Sequence, residues 1–229
     1  MDTTKVKAVV LRSEDRKEKD KLLTLFTLEH GLLKVVLKGV SNPQSKLKFA
    51  KQPFCFADFV LSRSDGIPVV TSASMIESFF DLTLDYQKYK HACDMLSLVN
   101  EKMKYGYSEP AMFLCLLKSL QSIVSSDVSE DLVMLKFYLE TLNILGYKPS
   151  FEHCSNCRSQ FVDGAYIGGK YTLECAICRG NNAIKIDSKT LNIIRVVSKT
   201  DFNKLASYKV SSGDAQLALS ACELILNNL

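Results

Sequence analysis

The sequence predicts an α+β protein: a small five-stranded β-barrel, then an all-helical domain interrupted by a four-cysteine module. Five short strand-like runs occupy residues 1–80, and apolar residues at helical spacing dominate residues 81–229. Two Cys-x-x-Cys pairs fall within 154–178. With 229 residues, of which 47% are hydrophobic, the chain is long enough to bury a sizeable core.

The strand-like runs lie close together in the chain. They are Val6–Leu11, Leu22–Leu28, Leu32–Lys38, Phe54–Arg63 and Pro68–Ile76. In the third run apolar side chains alternate, as in a strand with one buried face, and Gly31 and Gly39 bound it. The charged segment Arg12–Lys21 is predicted to be a connector. Five short strands favour a closed barrel, because closure removes exposed edges.

Apolar residues recur with helical period through the rest of the chain. The predicted stripes run over 89–103, 113–124, 132–145, 191–197 and 217–226. Pro110 suits the first turn of the second helix, and Gly146 is expected to end the third. These stripes are interpreted as core-facing surfaces.

The excess positive charge lies in the first third of the chain. Residues 1–80 hold 13 basic and 9 acidic residues, whereas the remainder holds 16 of each. Residues 31–57 contain no acid and five lysines, namely Lys34, Lys38, Lys46, Lys48 and Lys51. Such a surface favours a polyanion such as nucleic acid or an anionic membrane. The alternative is a solvated lysine face with no ligand.

The paired cysteines have the spacing of a zinc site. Cys154 and Cys157 are followed, after 17 residues, by Cys175 and Cys178. Four thiolates complete a tetrahedral shell, so the predicted cofactor is one structural zinc ion. Gly168-Gly169 is expected to turn a hairpin between the pairs. Disulfides are the alternative, which a cytoplasmic protein disfavours. The isolated Cys55, Cys93, Cys115 and Cys222 are predicted to be small core residues.

Catalytic patterns are absent from the sequence. Residues 164–171 approach a phosphate-binding loop, but Tyr171 stands where Ser or Thr should hold magnesium. There is no G-x-S-x-G and no H-E-x-x-H. We therefore predict a protein that is not an enzyme and binds no nucleotide. No apolar run approaches the roughly 18 residues of a membrane span, so a soluble, cytoplasmic protein without a membrane partner is expected.

The order of these features resembles the RecO family of bacterial recombination mediators and DNA repair proteins. The matching segments are 8–11, 18–27, Gly31, Lys38-Gly39, Ser45, 52–54 and 145–149, the last leading into Cys154-x-x-Cys157. Two segments depart from the family pattern. Residues 40–43 lack the basic residues that members often carry after the glycine, and the chain ends at 227–229 without the usual Lys-Ser-containing end.

The resemblance implies an OB-fold barrel, a helical domain and a zinc site. It also implies that the protein binds single-stranded DNA, anneals complementary strands and, with RecR, helps load RecA onto DNA coated by single-stranded-DNA-binding protein. Contact with the tail of that protein and a nucleoid-associated location are implied as well, and double-stranded DNA is left open as a further ligand. The five lysines are the expected phosphate contacts and Phe49 the expected base platform. A zinc-ribbon RNA-binding or transcription adaptor is the alternative function, although the net charge of 154–178 is zero.

Overall fold

The computed structural model describes residues 3–62, 66–125, 127–169 and 172–226. It divides into two compact units, 1–120 and 121–229, and the division falls within the helix Pro110–Val124. Strands dominate the start of the chain and helices the rest, which confirms the predicted α+β class. The boundary at residue 80 and the separate module 154–178 stay predictions.

Five strands of the first unit form a closed ring. They are β1 (Thr3–Asp15), β2 (Lys21–Thr27), β3 (Gly31–Leu37), β4 (Phe56–Ser62) and β5 (Val69–Glu77). The order around the ring is β1-β2-β3-β5-β4, with β4 returning to β1. All neighbours are antiparallel except β3 and β5, which meet in parallel at Val36 and Val69. This is the order of an OB-fold, and the predicted barrel is confirmed.

Alternating side chains fill the barrel. Along β4, Ala57, Phe59 and Leu61 are buried while their neighbours are partly exposed, the period-two pattern of a strand with one inner face. Buried residues of the other strands complete the core, among them Val6, Ala8, Val10, Leu23, Leu25, Val35, Leu37 and Val70. The apolar positions within the five predicted runs therefore build this core.

The first strand is longer than the sequence predicts. Arg12–Lys21 was expected to be a connector, but β1 continues to Asp15 and pairs as far as Lys21 of β2. A register shift between Val10 and Arg12 marks a bulge, after which the side chains of the strand are largely exposed. The prediction was wrong because backbone pairing continues here without a buried face, and the hydrophobic pattern cannot reveal it.

The long connection between β3 and β4 is partly built into the barrel. Val40, Ala50 and Cys55 are buried in its core, and Leu47 and Phe49 pack against that core. A short 3-10 helix, Lys48–Lys51, lies within the connection. The apolar residues therefore anchor the segment to the barrel, whereas its lysines are left at or near the surface.

Gly31 begins β3 at a point that only glycine fits. Its φ is +63°, and a Cβ at this position would lie 1.9 Å from the carbonyl oxygen of Tyr107. Hydrogen bonds between Leu32 and the segment 104–106 hold the two stretches together. Gly31, predicted from the sequence as a turn residue, is therefore also the point where the backbone of β3 closely approaches that of Tyr107.

Five α-helices follow the barrel in the part of the chain that the structure describes. They are α1 (Tyr86–Lys102), α2 (Pro110–Val124), α3 (Glu130–Ile144), α4 (Ser188–Lys199) and α5 (Ser212–Leu226). In the second unit α3 is almost wholly buried, including Lys136, whose ammonium lies 2.6 Å from Glu140 and donates to the carbonyl of Ser198. No helix among the described residues has the length and hydropathy that crossing a membrane requires.

The buried face of α5 differs from the predicted one. Leu217 and Leu224 were expected to lie on the buried stripe, but both are exposed. The buried face comprises Ala215, Ala218, Ala221, Cys222, Ile225 and Leu226. The prediction was wrong because it placed the largest apolar residues on the buried face. The small alanines lie there instead, since they permit the close contact between α5 and α3.

We predict that Gly31→Ala lowers the free energy of unfolding by about 2–4 kcal/mol, because the methyl group meets backbone and the residue keeps a left-handed conformation. Gly39→Ala is the matched control, since Gly39 has φ +61° but open space at its Cβ. Its expected cost is about 1 kcal/mol. Urea unfolding followed by circular dichroism compares the two, and equal losses would contradict the role of the Tyr107 carbonyl.

Candidate metal centre and nucleic-acid interface

Four cysteines of the second unit form one cluster. The Sγ atoms of Cys154, Cys157, Cys175 and Cys178 all lie within 4.8 Å of one another. The sulfurs of Cys157 and Cys175 are 3.7 Å apart, close to the spacing of about 3.8 Å that four ligands at roughly 2.3 Å from one ion would have. All eight cysteines of the chain are free thiols. The cluster could therefore hold a metal ion.

Two turns and a small sheet position these thiols. In each Cys-x-x-Cys pair, the residue after the second cysteine donates its N–H to the carbonyl of the first, at 3.0 Å for both Arg158 and Arg179. Strands β6 (Ala165–Ile167) and β7 (Leu173–Glu174) are antiparallel and return the second pair to the first. Lys170 and Tyr171 of the predicted hairpin lie outside the described residues. The sequence missed β8 (Ile184–Ile186), which pairs with the other edge of β6.

The thiols perturb one another electrostatically. The Cys178 backbone N–H lowers the pKa of Cys175 to about 6. Hydrogen bonds with Cys157 and Cys175 raise the pKa of Cys178 to about 12. Four ionised sulfurs at this spacing would repel one another. A divalent cation would remove that repulsion, and soft thiolates suit a soft or borderline metal such as zinc.

Ion pairs fix the chain leading into the cluster. Arg195 of α4 donates to the carbonyls of Phe151 and Phe161 and lies 3.2 Å from the carboxylate of Glu152. Lys199 also pairs with Glu152, at 2.8 Å. Lys199 and then Arg195 hold the pKa of Glu152 below its usual range. The segment before Cys154 is therefore attached to α4 by a group that stays ionised.

The five predicted lysines lie in one stretch of the first unit but not on one element. Lys34 is in β3, Lys38 follows its end, and Lys46 precedes the 3-10 helix that contains Lys48 and Lys51. All are exposed except Lys51, which is partly buried. Among the described residues, none of the five forms an ion pair with a carboxylate. Their role in binding DNA stays a prediction.

Other lysines of the barrel are paired with carboxylates. Lys5 and Lys7 of β1 lie 3.4 and 3.1 Å from the carboxylate of Asp58 on β4. Lys21 lies 2.8 Å from the carboxylate of Asp15. The structure therefore separates lysines with intramolecular partners from those of the acid-free stretch, a distinction that composition alone does not make.

Aromatic side chains near these lysines differ in availability. Phe49, the predicted base platform, is half-buried against the barrel core. Phe54 is buried against Tyr89, and Phe56 is partly buried with its ring 6.0 Å from that of Phe113. The sequence missed Tyr105, which is half-exposed and lies below the ammonium of Lys34 at 5.8 Å. Tyr105 reaches β3 through backbone bridges to Gly31 and Leu32, and no local pattern signals such a distant contact.

The apparent phosphate-binding segment has no phosphate-binding geometry in its described part. Residues 165–167 form β6 and the chain continues into β7, so a strand pairs with a strand where the motif needs a helix. The last two residues of the motif, Lys170 and Tyr171, lie outside the described residues.

Comparisons with known proteins cover both parts of the chain. The family model described as Recombination protein O N terminal matches residues 1–79, and that described as Recombination protein O C terminal matches residues 83–229. A DNA repair protein RecO of Acetivibrio thermocellus is 26% identical over 214 residues, covering 92% of this chain and 85% of the relative. The DNA repair protein RecO of Clostridium kluyveri is 28% identical, with 90% and 80% covered. That of Bacillus subtilis (strain 168) is 29% identical, with 71% and 63% covered.

We predict that the side-chain carboxyl of Asp58 titrates below its ordinary pKa of 3.8, because Lys7 and Lys5 favour its charged form, Lys7 most strongly. Carbon-13 NMR of the carboxyl measures the midpoint. Lys7→Met should raise it towards 3.8, and Lys5→Met should raise it less. Since folding lowers this pKa, the ion pairs stabilise the fold above the unfolded value, and this stabilisation is lost as pH falls through the folded value. An unchanged midpoint in Lys7→Met would contradict the assignment.

Proposed function

The chain belongs to the RecO family of DNA repair proteins, and we propose that it binds single-stranded DNA, anneals complementary strands and assists RecR in loading RecA onto DNA coated by single-stranded-DNA-binding protein. The observation that carries this proposal is the acid-free group of lysines on an OB-fold barrel. In this proposal the protein acts by binding and positioning strands and not by catalysing a reaction.

The lysines suit the backbone of a single strand. Cations without carboxylate partners attract phosphates and release their counterions, an interaction that does not depend on base sequence. Tyr105 offers a half-exposed ring beside Lys34, and Phe49 lies within the 3-10 helix that carries Lys48 and Lys51. Rings beside cations are the usual means of holding unpaired bases. A surface of this kind tolerates any sequence, as annealing requires.

The further partners follow from the family. RecR and the tail of single-stranded-DNA-binding protein are the proposed protein partners. The tail is expected to need a hydrophobic groove with a cation in the helical part of the chain. Double-stranded DNA is a further proposed ligand, and a nucleoid-associated location in the cytoplasm is proposed on the same basis.

The cysteine cluster is proposed to hold one structural zinc ion. Four sulfurs fill a tetrahedral shell and leave no open position for a substrate or an activated water. The sheet β7-β6-β8 is small and short-stranded, and an ion that joins its two Cys-x-x-Cys turns would supply much of its stability.

The decisive experiment is the annealing of complementary oligonucleotides, bare and coated with single-stranded-DNA-binding protein. The proposal expects the full chain to accelerate annealing in both cases and without ATP. Addition of RecR and RecA then tests whether filaments form faster on the coated strand. A chain that binds no single strand and accelerates no annealing would overturn the proposed function.

We predict that metal analysis finds one zinc ion per chain and that Cys175→Ser loses it, with a fall in the melting temperature, because three thiolates no longer complete the shell. Cys93→Ser is the control, since Cys93 is a half-buried cysteine outside the cluster. It should retain the metal. Zinc-free protein whose four cluster thiols are found in disulfides would contradict the prediction.

We predict that DNA binding has a log–log salt slope near −3 if the lysines neutralise about four to five phosphates, each contributing about −0.7. The double variant Lys46→Gln with Lys48→Gln should weaken binding to all sequences and bring the slope closer to zero by about 1.4. Zinc content should not change.

Lys7→Gln with Lys21→Gln is the matched control, since it removes the same charge from two lysines that each already pair with a carboxylate, Lys7 with Asp58 and Lys21 with Asp15. The control should change the slope much less. Fluorescence anisotropy at several salt concentrations measures both variants, and equal slopes in the two would contradict the role of Lys46 and Lys48.

A further inference from the structure

A cavity of about 360 Å³ in the second unit adjoins the first Cys-x-x-Cys turn. The residues after α3, Gly146–Ser150, form one side, and Ser155 and Arg158 form another. Thr172, Leu173 and Ile225 complete the lining. The cavity contains none of the clustered cysteines and none of the five lysines of the barrel. Its volume lies in the range of small-molecule and nucleotide pockets.

The lining is cationic and carries no acid. Lys148 and Arg158 both face the cavity and are exposed, and no carboxylate is among the described residues that line it. Among the described residues neither side chain has an ion-pair partner. The other arginines close to the cysteine cluster are engaged, because Arg179 stacks on Tyr166 at 4.7 Å and Arg195 pairs with Glu152. An anionic group is therefore the ligand that complements this site.

The backbone of Arg158 is an independent sign that its side chain is required. Its φ is +63°, in the left-handed region that disfavours any residue with a Cβ other than Asn or Asp. The turn needs only the N–H of this residue, which donates to the carbonyl of Cys154. Glycine would satisfy the turn without strain. Strain of this kind at a cavity wall points to a function for the side chain.

The remaining lining suits a planar group. Tyr147 is 48% exposed at the cavity. Pro149, Leu173 and Ile225 add apolar surface. A nucleotide carries an anionic phosphate, a sugar with polar oxygens and a flat base with apolar faces. A pair of cations beside an exposed aromatic ring complements the phosphate and the base.

We propose that this cavity binds one nucleotide of a single strand, with its phosphate between Lys148 and Arg158 and its base against Tyr147. The proposal rests on the proposed function, because it assumes that the chain binds single-stranded DNA. It adds a contact in the second unit to the barrel lysines of the first, so that one chain holds a polynucleotide at two places. Such an arrangement suits annealing, in which two strands must be retained together.

The test compares variants of the full-length, metal-loaded chain binding to a fluorescein-labelled oligo-dT. Lys148→Gln with Arg158→Gln should reduce the magnitude of the salt slope by about 0.7, equivalent to about a fivefold loss of affinity at 0.1 M salt for one phosphate contact. Tyr147→Ala should lower affinity about fivefold or more without changing the slope, because stacking releases no counterions. Misfolding would not lower the salt slope in one variant while leaving it unchanged in the other.

Arg179→Gln with Lys185→Gln is the matched control, because it removes the same charge from residues that do not line the cavity. It should leave affinity and slope unchanged. Arg158→Gly should keep the metal and the fold, since it relieves the left-handed strain, while losing the same affinity as Arg158→Gln. An oligonucleotide carrying 5-iodouracil should cross-link to the peptide that contains Tyr147.

The outcomes separate the two proposals. If the wild-type chain binds no oligonucleotide, the proposed function fails and this site fails with it. If the wild-type chain binds but both sets of cavity variants bind equally well, only this site is overturned. If an acidic peptide ending in an apolar residue binds the wild-type chain and not the Lys148 and Arg158 variant, while DNA binding is unchanged, the cavity is a peptide site and the nucleotide proposal is overturned.

Discussion

Closure of the barrel depends on one short parallel contact. Val36 of β3 meets Val69 of β5, and its N–H donates to the carbonyl of Pro68 at 2.8 Å. Because β5 occupies the place beside β3, the chain cannot pass from β3 to β4 by a tight hairpin. It must cross through the long connection that carries Lys46, Lys48 and Lys51. The position of the basic segment is therefore a consequence of strand order, and Val40 and Ala50, buried in the core, fix it there.

The cysteine cluster illustrates a different constraint, since four ionised sulfurs at this spacing need a counter-charge. A backbone N–H lowers the pKa of Cys175, whereas hydrogen bonds with two other thiols of the cluster raise the pKa of Cys178. Folding brings the thiols together through two similar turns and a hairpin, and a bound cation would convert mutual repulsion into attraction. The same turns place Arg158 and Arg179 at equivalent positions, but only Arg158 adopts the left-handed backbone.

Much of the fold could be predicted from local patterns, and the failures have identifiable causes. Short strand-like runs located all five strands, and the cysteine spacing located the cluster, because each signal lies within a short stretch of the chain. The end of β1 at Asp15 was missed because exposed antiparallel pairing leaves no hydrophobic pattern. The buried face of α5 was predicted wrongly because the sequence pattern gives most weight to large leucines. That small alanines form the buried face becomes evident only when the partner helix is known.

The lysines of the candidate binding surface could be predicted from composition, but the residues that surround them in the fold could not. An acid-free run of lysines is visible in the sequence, whereas the ion pairs of Lys5 and Lys7 with Asp58 require the pairing of β1 with β4. Tyr105 is likewise invisible as a partner of Lys34 until its segment is seen against the start of β3.

Net charge of +4 is therefore a poor guide to where this chain attracts a polyanion. What matters is which cations the fold leaves without a carboxylate. Lys136 is buried and paired with Glu140, and Arg195 is held by Glu152, so neither can contribute to an external surface. Among the described residues, the five lysines of the acid-free stretch and the two cations that line the cavity beside the first cysteine turn belong to the group without a carboxylate partner. Two cations line the cavity of the second unit although that unit lies in the part of the sequence with no excess charge, so net charge alone does not reveal such a local surface.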